Sequence, residues 1–146
     1  MNLFLFDNIK KQSLKMNITG SGYDPKKLDR AISRTAQLAE SIIVNKTESG
    51  KDFKDKAFKA YSTKGANDGY YGWRKRLGKS TTPNLQDTGQ MLASITSKAR
   101  DGKATIFFTN ADAAKKAAFN QKTRPFFALS RNTKDRLMKF FQKDVK

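Results

Sequence analysis

The longest run of regular hydrophobic spacing in this chain begins directly after Asp24-Pro25. From there, mostly apolar positions recur every three or four residues up to about Gly50, which is the spacing of an amphipathic helix. Asp24 suits the N-cap and Pro25 suits the first helical position. The recurring positions are Leu28, Ala31, Ile32, Thr35, Leu38, Ala39, Ile42 and Ile43. We therefore predict one long helix in the first third of the chain.

Alternation of apolar and polar residues predicts strands in two parts of the chain. Residues 15–19 form a first candidate strand, and residues 96–99 and 104–109 form a candidate hairpin. The turn of that hairpin holds Asp101 and Gly102, which tolerate the positive φ angles of a tight turn. We expect these strands to form a small antiparallel sheet.

Further segments carry helical signals. Residues 52–61 begin with a potential N-cap and continue with a sparse apolar edge, residues 88–95 predict a short helical segment, and residues 112–121 are rich in alanine. Ser130 is placed to cap a last helix. One face of that helix would carry Leu137, Met138, Phe141 and Val145.

Some segments show no sustained period. Residues 1–12 are interpreted as an N-terminal arm, whose apolar side chains could line one face of a short amphipathic turn. Residues 62–84 combine glycine, serine and lysine, and predict a long extended loop. Residues 122–127 are expected to form an extended edge, because Pro125 cannot donate a hydrogen bond to a central ladder.

These elements predict a single α+β domain spanning residues 1–146. In it, the long N-terminal helix and the C-terminal helix pack on the small antiparallel sheet. A chain of 146 residues is long enough for one core and too short for two ordinary domains.

The composition narrows the possible chemistry. The chain has no Cys and no His, which removes thiolate nucleophiles, imidazole bases, disulfides and the usual zinc sites. No phosphate-binding loop or serine-hydrolase motif is present. We therefore expect no enzymatic activity and no cofactor. No apolar run approaches the length of a membrane span.

The charge is strongly positive and unevenly distributed. The chain carries 30 Lys and Arg against 13 Asp and Glu, a net charge of +17. Residues 115–146 alone hold 10 basic and 2 acidic side chains. Such a field attracts nucleic acid or acidic protein surfaces. The alternative for most single lysines is an ordinary solvated surface.

The strongest candidate for binding is a cluster of aromatic and cationic side chains within residues 70–76. Its members are Tyr70, Tyr71, Trp73, Arg74, Lys75 and Arg76. Aromatic rings and cations together can stack bases and neutralise phosphates. In the alternative that we favour, Tyr71 and Trp73 anchor the segment on the core or on a neighbouring subunit, while the cations face water.

Two shorter motifs also stand out. Thr88 can cap the following turn, and Gly89 permits a close approach or an unusual backbone angle. In Arg124-Pro125-Phe126-Phe127 the proline stiffens the chain, the phenylalanines fill a core or cleft, and Arg124 reaches a carboxylate or a set of carbonyls. We interpret both motifs first as fold markers and second as interface contacts.

The order of motifs in the second half resembles one family. Residues 85–95 read L-x-x-T-G-x-M-x-x-S-I, a strand then ends in Thr109-Asn110, and residues 124–130 read R-P-F-F-x-L-S before a last helix. Over residues 85–141 the chain resembles the virion-morphogenesis and tail-completion proteins of long-tailed bacteriophages. The matching positions are Leu85, Thr88, Gly89, Met91, Ser94, Ile95, Thr109, Asn110, Arg124, Pro125, Phe126, Phe127 and Ser130.

This resemblance implies a structural protein of the virion, located in the neck or at the head-proximal end of the tail and assembled in the host cytoplasm. Similar proteins form homo-oligomeric rings, commonly hexamers, that complete the tail and join it to the head connector. The implied partners are the tail tube protein, the connector proteins and DNA that passes non-specifically through the lumen. No catalytic residues carry over. The alternative is a basic nucleic-acid-binding protein without catalytic activity.

Overall fold

The protein combines a four-stranded antiparallel sheet with helices, so the predicted α+β class is confirmed. A computed structural model describes residues 2–8, 13–19, 22–86 and 89–146, with the backbone alone for residues 2–8, 18 and 19. The strands are β1 (Asn2–Asn8), β2 (Ser13–Thr19), β3 (Ile95–Arg100) and β4 (Lys103–Phe108). The helices are α1 (Pro25–Glu48), α2 (Gly69–Arg76), α3 (Gln90–Ala93), α4 (Ala111–Gln121) and α5 (Arg131–Asp144).

The sheet is built on the predicted hairpin. Its strand order is β1-β2-β4-β3, and all neighbours are antiparallel. The turn between β3 and β4 has φ angles of 51° at Asp101 and 73° at Gly102, as a two-residue hairpin turn requires. The backbone N–H of Gly102 donates to Asp29 Oδ1 at 2.9 Å, and this bond ties the turn to α1.

The long helix α1 forms as its sequence predicts. Asp24 Oδ1 accepts from the backbone N–H of Lys26 at the start of the helix. Thr35 and Thr47 are buried, and each hydroxyl donates to the carbonyl four residues earlier at 2.8 Å, so neither is left unpaired. The apolar face of α1 packs on β3 and β4, and α5 packs on α1.

The last helix closes the core. Ser130 Oγ accepts from the backbone N–H of Thr133 and caps α5, as predicted. Leu137, Phe141 and Val145 are buried. At the surface, Arg34 Nη1 of α1 and Asp144 Oδ1 of α5 form an ion pair at 3.0 Å.

Phe126 and Phe127 lie in the core without belonging to a helix or strand. Their backbone N–H groups donate to the same side-chain oxygen, Gln121 Oε1, at 3.2 and 3.0 Å. The Phe127 ring packs on Phe108 of β4 with centroids 4.9 Å apart. The extended edge predicted over residues 122–127 is therefore wrong, because a side chain supplies the acceptor that a neighbouring strand would have supplied.

The helix predicted over residues 52–61 is absent. Asp52 Oδ1 accepts from the backbone N–H groups of Lys54 and Lys56 at 2.8 and 2.9 Å, which offers the backbone an alternative to the helix. Asp55 has a φ of 65°, and Lys51 pairs with Ala57 in an isolated bridge. The segment is thus a tight loop.

The extended loop predicted over residues 62–84 is only partly extended. A 3-10 turn at Ala66–Asp68 leads directly into α2. The segment lacks a helical apolar period because α2 is held by stacking of its aromatic rings and by a close backbone approach at a glycine, and neither produces such a period. The glycine at position 72 is required for this, since a Cβ there would lie 1.8 Å from the carbonyl oxygen of Asn67.

The N-terminal arm predicted over residues 1–12 is not an amphipathic turn where the structure describes it. Residues 2–8 form β1, which pairs along its whole length with β2. Residues 1 and 9–12 lie outside the described residues. A short apolar run without alternation is ambiguous between a strand and a turn, which is why the sequence did not predict β1.

Truncation of the buried phenylalanines should unfold the protein more than truncation of an exposed one. We expect Phe126→Ala or Phe127→Ala to lower the free energy of unfolding by about 3–5 kcal/mol, since each leaves a cavity in the core. The matched control is Phe119→Ala, because that side chain is 74% exposed; its effect should stay within about 0.5 kcal/mol. Urea titrations of the three variants measure this. Equal stabilities would show that the pair contributes no core packing.

Glu40 of α1 should make stability depend on pH. Its burial raises the pKa of the carboxyl above the ordinary 4.5, although a hydrogen bond with Ser97 partly opposes the shift. A raised pKa in the folded state means that the folded state holds the proton more tightly than the unfolded state does. The contribution of protonated Glu40 to the free energy of unfolding is therefore lost as pH rises through that pKa. Relative to the native chain, Glu40→Gln should therefore gain stability between pH 4.5 and neutrality. The free energy of unfolding is measured against pH for both proteins. A difference between them that stays constant over this range would contradict the expectation.

Candidate functional site

All six members of the aromatic and cationic cluster lie on α2, where two of the rings pack on one another. Tyr70 stacks on Trp73 with centroids 5.4 Å apart and an interplanar angle of 22°. Tyr61 meets Tyr70 edge to face at 5.0 Å. Tyr71 is half-buried, and its backbone N–H donates to the carbonyl of Ser62. The rings thus join α2 to the segment that precedes it.

Arg74 is the buried residue of this cluster, which differs from the expectation that its cations face water. Only 2% of Arg74 is exposed. Its Nε donates to the carbonyl of Ser80 at 2.7 Å, and its Nη2 donates to the carbonyl of Gln86 at 2.9 Å. Its guanidinium carbon lies 5.1 Å from the ring centroid of Tyr61 and 6.0 Å from that of Tyr70. Arg74 therefore organises the chain on both sides of α2.

The other members of the cluster are more exposed. Lys75 and Arg76 face solvent, and Arg76 Nη1 donates to the carbonyl of Asn67. Trp73 is 39% exposed, and the ammonium of Lys79 lies 5.1 Å from its ring. Trp73 is therefore not a core anchor within the monomer, and its exposed edge remains free for a partner.

The motif Arg124-Pro125-Phe126-Phe127 places Arg124 beside the same rings. Its Nε donates to the carbonyl of Lys59 at 2.9 Å and its Nη2 to that of Ala60 at 3.3 Å. Of the two kinds of partner considered for Arg124, the structure shows the carbonyl set. Its guanidinium carbon lies 5.1 Å from the Tyr61 ring centroid. The adjacent Pro125 carbonyl accepts from the backbone N–H of Phe53 at 3.1 Å.

Gly89 occupies the N-cap position of α3. It adopts a φ of 79°, in the left-handed region that favours glycine. Its carbonyl accepts from the backbone N–H of Ala93 and so begins the helix. Thr88, which was predicted to cap this turn, lies outside the described residues.

An open pocket of about 410 Å³ brings together residues of the α2 cluster and of the two shorter motifs that contain Gly89 and Arg124. Tyr70, Arg74, Gly89 and Arg124 are the predicted site residues that line it. The remaining lining residues are Tyr61, Ser62, Leu85, Gln86, Met91, Lys116, Phe119 and Asn120. We call this cavity the arginine pocket. Of the rest of the predicted set, Thr88 lies outside the described residues, and the others lie beside the pocket, at the surface or in the core.

Eight lining residues were not predicted as part of a site, and the large or charged side chains of Tyr61, Lys116 and Phe119 stand out among them. Tyr61 was assigned to a helix that does not form, and Lys116 and Phe119 lie on the alanine-rich α4. A signal for Phe119 was present in the sequence. Ala117 faces the core, and a residue two positions further along a helix points to the opposite side. A single exposed aromatic residue is a weak signal, and it gains meaning here because Phe119 borders a pocket with further apolar lining.

The arginine pocket is electropositive. Arg74, Arg124 and Lys116 line it, and none of its lining residues in the described part of the chain is acidic. Such a pocket can bind an anion. Within residues 13–17, 22–86 and 89–146, no group of acidic side chains has the arrangement of a metal site. None of the helices in the described residues combines the length and apolar character that a membrane crossing needs.

Comparison with known proteins identifies no relative. A scan against models of protein families found no match, and searches of curated proteins and of solved structures found no significant similarity. The function is therefore argued from the motifs and from the geometry of the pocket.

Removal of the Arg74 guanidinium should destabilise the fold. Arg74→Met keeps the length of the side chain but leaves the carbonyls of Ser80 and Gln86 without their donors. We expect a loss of about 1–3 kcal/mol in the free energy of unfolding. Lys75→Met, the matched control on the exposed side of α2, should change it by less than about 0.5 kcal/mol. Urea titrations compare the two. A loss that is equal in both variants would mean that the guanidinium bonds are not structural.

Proposed function

We propose that this protein is a structural component of the neck or of the head-proximal tail end of a long-tailed bacteriophage. In this role, copies of the chain form a closed ring that completes the tail and joins it to the head connector. The observation that carries the proposal is the resemblance of the ordered motifs to tail-completion proteins. Its structural support is that the first two motifs are joined by hydrogen bonds and that the third lines one pocket together with the first.

The first two motifs are joined through α3 and β4. The Thr109 hydroxyl donates to the carbonyl of Ser94 at 3.2 Å, and the Ser94 hydroxyl donates to the carbonyl of Met91 at 2.8 Å. Asn110 Oδ1 accepts from the first backbone N–H groups of α4 and caps it. The motif residues thus hold the junctions between strand and helix, as expected of residues that mark a fold.

The third motif completes this arrangement. Phe126 and Phe127 are core residues, Ser130 caps α5, and Arg124 lines the arginine pocket together with Leu85 and Gly89 of the first motif. Motif positions that lie 35 residues apart or more in the sequence therefore meet at one site.

The surface beside the pocket suits contact with a neighbouring protein. The exposed large apolar side chains among the described residues are Tyr23, Tyr70, Trp73, Leu77, Phe119 and Phe140. Two of them line the arginine pocket, and Trp73 stacks on one of these. Tyrosine, tryptophan and arginine are the residues that most often dominate interface energies. A contact with a connector protein would bury this patch.

Non-specific nucleic-acid binding is the second candidate, and the net charge of +17 favours it. A basic protein releases counterions when it binds DNA, so its affinity falls steeply with salt. A ring of like-charged subunits responds in the opposite way, because salt screens their mutual repulsion. The response to salt therefore separates the two functions.

The protein should form closed rings in the particle, and salt should not dissolve them. Cryo-electron microscopy of virions that contain this chain should show a cyclic oligomer on the tail axis. Rings of the purified protein, counted in negative stain, should persist or increase from low to high salt. An isolated monomer away from any symmetry axis in the virion would overturn the proposal. DNA binding that vanishes at high salt, without rings at any salt concentration, would support the second candidate.

A further inference from the structure

The arginine pocket holds two guanidinium groups on a single aromatic ring. The guanidinium carbons of Arg74 and Arg124 each lie 5.1 Å from the centroid of Tyr61. Both side chains are fixed by two donated bonds to backbone carbonyls. Lys116 adds a third positive charge at the pocket wall. Arg74, Arg124 and Lys116 all line this pocket, and an anion bound in it would offset part of their positive charge.

The aromatic rings at and beside the pocket are already in contact with cations or with other rings. These contacts help to decide whether the bound anion is a nucleic acid. The guanidinium groups of Arg74 and Arg124 both contact the Tyr61 ring. The Tyr70 ring contacts Tyr61, Trp73 and Arg74. The Trp73 ring contacts Tyr70 and the Lys79 ammonium. A nucleic-acid base needs an open aromatic face on which to stack. These rings hold cations in place rather than offering such a face.

The rim of the pocket adds an apolar contact. Phe119 lines the pocket and is 74% exposed, an unusual exposure for a phenylalanine. Met91 and Leu85 contribute further apolar surface to the same wall. A ligand that fits this pocket therefore combines negative charge with an apolar group.

We propose that the arginine pocket binds an acidic segment of a partner protein, with a carboxylate at Arg124 and Lys116 and a neighbouring apolar side chain against Phe119. A volume of about 410 Å³ suits a few side chains and not a folded domain. Carboxylates match the planar donors of arginine, and bonds between the two charges are the stronger class of hydrogen bond. The inference concerns the pocket alone and does not require that the protein form rings.

The partner is a different protein and not a second copy of this chain. Each copy carries a net charge of +17, so a second copy brings further repulsion to a site that is already cationic. An acidic segment of another protein offsets the charge of the pocket and of the surface around it. This complementarity also raises the rate of association.

The test uses the whole chain and an array of immobilised short peptides. The peptides combine glutamate with leucine or phenylalanine at varied spacing, and each has a partner in which glutamine replaces glutamate. Short oligothymidylate is the competing probe. The variants are Lys116→Glu and Phe119→Ala at the pocket. Their matched controls are Lys115→Glu, an exposed neighbour on α4, and Leu77→Ala, an exposed apolar residue; neither lines the pocket.

The expected result is binding of glutamate peptides over their glutamine partners. Lys116→Glu and Phe119→Ala should each weaken that binding about tenfold, whereas Lys115→Glu and Leu77→Ala should change it by less than about threefold. Since all four positions are exposed, circular dichroism should show the native fold in each variant.

Other outcomes overturn the inference. An array without preference for glutamate excludes a carboxylate ligand. Equal weakening by Lys116→Glu and Lys115→Glu indicates attraction to the whole basic surface instead of the pocket. Oligothymidylate that binds more tightly than any peptide, and loses affinity in Lys116→Glu, assigns the pocket to nucleic acid. Self-association that is lost in Phe119→Ala, without peptide binding, assigns it to a second copy. None of these results bears on whether rings form in the virion.

Discussion

The burial of Phe126 and Phe127 in a segment without regular secondary structure is the constraint on which the rest of the molecule depends. Two consecutive buried amides need acceptors, and a single side-chain oxygen of Gln121 satisfies both. These two hydrogen bonds fix the segment to the end of α4, while the contact between the Phe127 ring and Phe108 fixes it to β4. The core and the path of the chain out of α4 are thus determined together.

The position of the pocket follows from this core. Arg124 comes two residues before Phe126, so its backbone is fixed by the same anchor, and its guanidinium reaches the carbonyls of Lys59 and Ala60. Those carbonyls immediately precede Tyr61, the ring that both arginines share. Arg74 then closes the arrangement from the other side through Ser80 and Gln86. Substitutions in the core would therefore disturb the site without touching it.

Sequence reasoning recovered the elements whose local signals agree with their surroundings. Helix α1 has both a cap and an apolar period, and the β3–β4 hairpin has Asp101-Gly102 at its turn. The helix expected after Asp52 failed because the carboxylate bonds to nearby amides and favours a loop. Helix α2 was missed because its stability depends on ring stacking and on Gly72, and neither produces a hydrophobic period.

The candidate site was predicted in part for a related reason. Tyr70, Arg74, Gly89 and Arg124 were each singled out by their chemistry, but no sequence pattern shows that they line one cavity. Their meeting depends on contacts between distant segments. The burial of Arg74 was also beyond sequence reasoning, since Lys75 and Arg76 beside it have the same charge and remain exposed.

The pairing of α1 with α5 has a consequence for how the protein is made on the ribosome. Arg34 and Asp144, which join the two helices, lie 110 residues apart in the chain. At about 5–20 residues per second, roughly 5–20 seconds of translation separate the two helices. During that interval, part of the apolar face of α1 has no cover, because α5 has not yet been synthesised. The nascent chain thus exposes apolar surface of the kind that chaperones protect from aggregation.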